Sequence, residues 1–261
     1  MDLGIAGRTS LVLGAGGGLG SAIAESLAGE GVAVAAADID GGAARSTADR
    51  CASRGVSTTA LAWDLADIDA IDGHVAAVEA DLGPVDILVN MTGGPPPTPV
   101  SGQDAASWRR HFEQMVLSVI SVTDRVLPSM RARSWGRVIT STSSGVVAPI
   151  PNLGLSNALR SSLVGWNKTL AAEVAADGVT CNIVLPGRIA TKRITFLDEK
   201  KAEREGRPVA DVVAESTASI PVGRYGDPAE YGAVAAFLAS KQASFVNGSI
   251  IRVDGGMIPS V

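Results

Sequence analysis

Short apolar runs of strand length alternate with segments of helical spacing along the whole chain. Thr9–Leu13, Val32–Ala37, Thr58–Trp63, Ile87–Asn90, Arg137–Ser141, Val179–Leu185 and Ser249–Val253 read as seven strands. Between them, Ser21–Glu30, Ser107–Met130 and Leu155–Ala176 read as helices, the last closed by the stop signal Asp177-Gly178. This order predicts an α/β fold, a doubly wound parallel seven-stranded sheet with helices on both faces. No repeat or low-complexity linker interrupts it, so residues 1–261 are expected to form a single domain. One charged, irregular insert stands out at Lys192–Ile220. It reads as a solvated excursion or as a substrate lid. The lid reading follows from its place after a strand's carboxyl end, where such sheets bind ligands.

Composition narrows the function classes. Apolar residues make up 46% of the chain, enough for a sizeable core, yet aromatics are only 4%. Ala, Val and Gly take their place, which suits helices packed closely on a buried parallel sheet. The net charge is −5 and no basic stretch stands out, so nucleic acid is not an expected partner. No leader pattern is visible in the first residues, and no apolar stretch reaches membrane-spanning length. Cys51 and Cys181 are the only cysteines. They suggest a reducing cytoplasm rather than a disulfide framework. With His74 and His111 as the only histidines, no metal cluster is visible in the sequence.

The chemistry begins at Leu13-Gly14-Ala15-Gly16-Gly17-Gly18-Leu19-Gly20, between the first strand and the first helix. Glycines there permit a tight turn and close approach of the backbone to a pyrophosphate. The following helix N-terminus offers unpaired N–H groups and the positive end of its dipole. Asp38 ends the second strand, eighteen residues after Gly20. Its carboxylate can accept hydrogen bonds from ribose hydroxyls and would repel a 2′-phosphate. No Lys or Arg lies in the loop or just after Asp38, so NAD is expected over NADP. Strand, loop, helix and acidic residue together define a Rossmann-type dinucleotide site.

Gly14, Gly18 and Gly20 also fall on the glycine spacing of the short-chain dehydrogenase/reductase family, and further marks follow in order. Asp86-Ile-Leu-Val-Asn90-Met-Thr-Gly93 resembles the family's fourth-strand segment, and Asn182 to Thr191 resembles its Pro-Gly loop. Ile220 to Gly256, with Val253-Asp254-Gly255-Gly256, resembles its C-terminal part. The resemblance implies that Gly14, Gly18, Leu19 and Gly20 hold the pyrophosphate and that Asp64 contacts adenine. It places Asn90 and Gly93 against the cofactor. It makes Pro186, Gly187, Ile189 and Thr191 the nicotinamide loop. It also implies a homo-oligomer, commonly a tetramer, built through the two long helices.

The same alignment breaks at the catalytic positions. The family uses a Tyr acid/base, a Lys one turn later, a Ser thirteen residues before the Tyr and an Asn on the earlier long helix. Here Ser143 takes the Ser position. Ser156 falls where Tyr is expected, Arg160 where Lys is expected and Met115 where Asn is expected. An aliphatic hydroxyl is a far weaker acid than a phenol and is shorter. Arg160 stays cationic and can hold ribose hydroxyls or an anionic group. The candidates are therefore Ser143 as oxyanion donor and Arg160 as cation. Ser156 is a weak acid or merely a helix N-cap, and His111 lies one turn before Met115. Arg188, Lys192 and Arg193, with Arg160, could form an anion-attracting mouth for a small, possibly anionic substrate. The favoured function is an NAD(H)-dependent oxidoreductase acting on a carbonyl or alcohol with a non-standard proton transfer. A lyase or isomerase, or a catalytically silent dinucleotide-binding protein, are the alternatives.

Overall fold

The computed structural model describes residues 2–261. Seven strands, β1 (Thr9–Leu13), β2 (Ala33–Asp38), β3 (Thr58–Ala62), β4 (Ile87–Asn90), β5 (Gly136–Ser141), β6 (Val179–Pro186) and β7 (Ile250–Val253), form one sheet. Its order is β3-β2-β1-β4-β5-β6-β7. All six pairings are parallel. The doubly wound sheet expected from the sequence is therefore the fold.

The strands are apolar almost throughout because both faces are covered. Val12, Val34, Ala36, Val89 and Ile139 point to one face. There they meet Ile23 and Leu27 of α1 (Gly18–Gly29), Ala48 of α2 (Gly41–Ala52), and Tyr231 and Ala235 of α9 (Pro228–Ala239). Leu11, Leu13, Ala35, Ala37 and Leu88 point to the other. They pack on Val75 and Val78 of α3 (Ile71–Leu82), Val122 and Val126 of α5 (Ser118–Ala132), and Leu170 and Val174 of α6 (Gly154–Val174). The period-two split of one apolar run between two cores is the pleat at work.

Two elements differ from the sequence expectation. The helix expected over Ser107–Met130 is α4 (Ala105–Phe112), a π-helical turn at Glu113–Leu117, and α5. The wide turn keeps the helical path, so the apolar periodicity runs through it unmarked. The insert at 192–220 is not irregular. It forms α7 (Lys192–Glu205) and α8 (Val209–Ala218). Gly206, left-handed at φ +63°, ends the first, and Pro208 precedes the second. The many charges of α7 hide its helical spacing.

The expected stop at Asp177-Gly178 holds. Gly178 has φ +73°, and a Cβ there would lie 2.3 Å from the Ser134 carbonyl oxygen. That turn delivers the chain from α6 into β6.

The chain runs from β1 outward to β2 and β3, then crosses to β4 on the other side of β1. Loops leaving β1 and β4 therefore part in opposite directions and open a crevice at the strands' carboxyl ends.

Candidate active site

That crevice holds a cavity of about 890 Å³. Gly14, Gly16, Gly17, Gly18 and Leu19 form one wall, and Asp38 closes that end. Gly20 belongs to the turn itself: a Cβ on it would lie 2.1 Å from the Gly14 carbonyl oxygen. α1 starts at Gly18 with Gly17 as N-cap, and no side chain caps it. The N–H groups of Gly18 and Leu19 have no hydrogen-bond partner among the described residues. Both line the cavity, so the positive end of the helix opens onto it.

Asp38 is tied into the same turn. Gly16 N–H donates to its Oδ2 at 2.9 Å, and Asp40 N–H to its Oδ1 at 3.0 Å. The carboxylate is thus fixed beside the glycine turn while still facing the cavity. A smaller adjoining cavity of about 310 Å³ is lined by Asp38, Ile39, Trp63, Asp64 and Met91, and on its far side by His111 and Met115. Asp64 accepts from Ala66 N–H at 2.9 Å. His111 and Met115 face this smaller space, not the larger one.

The loop after β6 forms the opposite wall, with Pro186, Gly187, Ile189 and Thr191 in the lining. Thr191 abuts the glycine turn, since a Cβ on Gly18 would lie 2.7 Å from its Cγ2. Bonds from Ala190 N–H to Gly226 O and from Gly226 N–H to Arg188 O bracket Ile189. The N–H of Ile189 itself has no partner among the described residues.

The side chain of Asn90 turns away from the cavity. It is fully buried and donates to Thr123 Oγ1 at 3.0 Å. It lies beneath the cavity; Met91, Thr92 and Gly93 line it instead. Sequence alone does not reveal this, because a strand-terminal residue can point to the crevice or into the core.

Ser143, Ser156 and Arg160 do meet in the large cavity. Ser143 Oγ accepts from Gly145 N–H at 3.1 Å, which fixes the short turn after β5. Ser156 is not an N-cap: α6 begins at Gly154, and Leu153 is its cap residue. The Ser156 side chain makes no hydrogen bond among the described residues. Arg160 is the most constrained polar group. Its Nη2 donates to Thr92 O at 3.0 Å and Gly93 O at 2.8 Å, and its Nη1 to Ser141 O at 3.4 Å. It is only 8% exposed. Burial, with Arg193 nearby, pulls its pKa down to about 10, so it is still a cation at neutral pH.

The four-cation mouth is only partly as expected. Arg188 is spoken for: it pairs with the buried Asp198, which also accepts from Tyr225 Oη at 2.7 Å. Arg193 donates to Pro95 O at 3.0 Å, and neither it nor Lys192 nor Arg160 forms an ion pair among the described residues. Cavity residues that sequence reading missed include Ile150, Met257 and Ile258. The last two come from a tail that carries no pattern pointing to a site.

Tyr231 lies behind Ser141. Its hydroxyl is 2.7 Å from Ser141 Oγ and donates to Val184 O at 3.0 Å. Burial pushes this phenol well above its ordinary range. Through these two bonds it braces β5 against β6.

Comparison with known proteins agrees with this architecture. The family model described as enoyl-(acyl carrier protein) reductase matches residues 14–258. Nodulation protein G of Azospirillum brasilense is 34% identical over 251 residues, covering 96% of this chain and 98% of its own. The 3-oxoacyl-(acyl-carrier-protein) reductase FabG of Salmonella typhimurium is 33% identical over 253 residues, covering 96% and 97%. L-sorbose reductase of Gluconobacter frateurii, solved with NADPH and L-sorbose, superposes with a TM-score of 0.94 at 28% identity, over 100% of both chains. The chain belongs to the short-chain dehydrogenase/reductase family of oxidoreductases.

Replacing Tyr231 by Phe should cost about 1–3 kcal/mol of stability through the buried partners left behind. Urea unfolding measures it, and NADH affinity by fluorescence titration should change less than about twofold. A stable Y231F protein with lost turnover would instead put this phenol in the proton path.

Proposed function

We propose that this protein transfers a hydride between NAD(H) and a small carbonyl or alcohol substrate, without the Tyr-Lys pair of its family. One observation carries the reading. The uncapped N-terminus of α1 and Asp38 open onto the same cavity that Ser143, Ser156 and Arg160 line.

The residues present fit a dinucleotide. The N–H groups of Gly18 and Leu19 would hold the phosphates. Asp38, already fixed by Gly16 and Asp40, would accept from the adenosine ribose, and a second phosphate there would meet its charge. Asp64 borders the smaller space that suits adenine. The open N–H of Ile189 and the hydroxyl of Thr191 would hold the carboxamide. When bound, NADH supplies the hydride. The L-sorbose reductase relative was solved with NADPH, so the preference for NAD rests on Asp38.

Ser143 would donate to the substrate oxygen as negative charge develops there. Its Oγ uses only a lone pair on Gly145 N–H, which leaves the hydroxyl proton free. Arg160, a fixed cation, makes the potential of the same region more positive and so stabilises that charge. Ser156 lacks both the acidity and the reach of a phenol, so the proton comes from solvent by way of the hydroxyls. α7 and α8 form the outer wall through Ile194, Leu197 and Ser216, and act as the substrate lid. The assembly is a homotetramer, supported by exposed Phe112, Phe237 and Phe245. The two cysteines are free and buried, in keeping with a cytoplasmic protein.

A second reading, a dinucleotide-binding protein without turnover, is favoured by one observation: Arg160 already spends three hydrogen bonds on backbone carbonyls. A screen of carbonyls and alcohols with NAD(H), read by absorbance of the reduced cofactor, separates the two.

In fluorescence titrations NADH should bind at least about tenfold tighter than NADPH. Asp38→Ala should narrow the ratio to within about threefold. Equal or tighter binding of NADPH by the unaltered protein would reverse the assignment.

Turnover should separate the three lining residues. Ser143→Ala should lower kcat by about 10²–10³-fold with little change in NADH affinity. Arg160→Ala should impair NADH binding or kcat far more than Ser156→Ala, and Arg160→Lys should recover little because the planar fork is lost. If S156A alone abolishes turnover while R160A leaves it intact, Ser156 is the acid.

A further inference from the structure

Two guanidinium groups from different helices meet at one glycine of the β4 loop. A Cβ on Gly94 would lie 3.5 Å from Arg193 Nη2 and 3.7 Å from Arg160 Nη2. Arg160 comes from α6 and Arg193 from the first turn of α7. Both line the large cavity. The two like charges repel, since Arg193 pulls the pKa of Arg160 down, and burial weakens the screening that water would supply.

Such a pair is normally offset by carboxylates. Here none of the described residues places a carboxylate within ion-pair distance of either. The acidic side chains of the cavity are already engaged. Asp38 holds Gly16 and Asp40 at the far end, and Glu215 pairs with Lys201 and Arg207. Carbonyl oxygens of Thr92, Gly93 and Pro95 satisfy part of the two forks. They supply no net charge. The Nε–H and one Nη1–H of Arg160 remain without a partner among the described residues, on a side chain more than nine-tenths buried. Burial pulls both guanidiniums down in pKa, the signature of cations lacking a counterion. Lys192 adjoins Thr191, which touches Gly18, so it belongs to the phosphate end. The Arg160–Arg193 pair lies instead on the β4 loop, with Ser143 and Ser156 in the same cavity.

We infer that Arg160 and Arg193 form a carboxylate subsite, so that the substrate is a short 2- or 3-oxo acid or the matching hydroxy acid. The inference rests on the oxidoreductase reading for the fate of the carbonyl. The carboxylate accepts from the unpaired N–H groups, and the neighbouring carbonyl then falls within reach of Ser143. Reduction adds the hydride of NADH to the carbonyl carbon. The C=O π pair moves to oxygen, which takes one proton from solvent, giving hydroxy acid and NAD⁺. The carboxylate is unchanged and need only be held. Arg193, with a single hydrogen bond to Pro95 O, keeps donors free for a bidentate contact, which also orients the ligand.

The test is calorimetric and uses the intact protein saturated with NAD⁺. Malonate is the anionic probe and malonamide its neutral match. Malonate should bind at least about tenfold tighter than malonamide, and Arg193→Gln should remove most of that difference. NADH affinity of R193Q should stay within about twofold of the parent. Equal binding of the two probes, no binding of malonate, or an unaffected R193Q protein would overturn the subsite. So would competition between malonate and NAD⁺, which would put the anion in the phosphate cradle. Malonate binding to a protein that does not bind NADH would uphold the subsite and refute the oxidoreductase reading, so the two failures are told apart.

Discussion

A buried guanidinium held only by carbonyl oxygens is the interaction on which the site depends. Arg160 reaches from α6 to the loop after β4 and to the end of β5, and so fixes the two strands' exits relative to one another. Removing a charge from water is costly, and carbonyl dipoles offset only part of that cost. The loop that supplies two of them, Thr92 O and Gly93 O, is stiffened by Pro95, Pro96 and Pro97. The result is a rigid, positively charged wall opposite the glycine turn. Asp38, the engaged carboxylate at the other end, gives the crevice a polarity along its length.

The same geometry separates two tasks. Under the proposed function, phosphates would be met by backbone N–H groups at the N-terminus of α1, a neutral cradle with a dipole behind it. The reacting end is met by side chains: hydroxyls from β5's exit and α6, and guanidiniums from α6 and α7. Because α7 belongs to the insert after β6, it carries both Arg193 and part of the outer wall, Ile194 and Leu197. Arg188, neutralised by Asp198, anchors that element rather than binding a ligand.

Much of this was legible in the sequence. The strand runs, the glycine turn, Asp38 and the Pro-Gly loop are short-range patterns, and each sits where its spacing implied. Gly178 ends the short 3-10 turn, Ala175–Asp177, that follows α6, as its turn chemistry required. Other features depend on where a side chain points in three dimensions. Asn90 sits at a strand end and turned inward to Thr123, not outward. Ser156 lies within the first turn of α6 rather than before it, because the helix starts at a glycine. α7 was hidden by its charges, and Tyr231 by an apolar helix that gave no hint of its partner Ser141. The Arg160–Arg193 approach joins residues 33 positions apart through a loop glycine, and no local pattern encodes it.

No side chain titrating near neutrality is proposed to pass the proton, since no phenol lines the cavity and Tyr231 is held behind Ser141. The pH dependence of kcat/KM for carbonyl reduction with NADH tests this most directly. It should be flat between about pH 6 and pH 9, because serine hydroxyls and a buried guanidinium do not change charge there. A bell-shaped profile, or a single break near neutral pH that persists with a non-ionising substrate, would show a titrating acid/base in the free enzyme and contradict it.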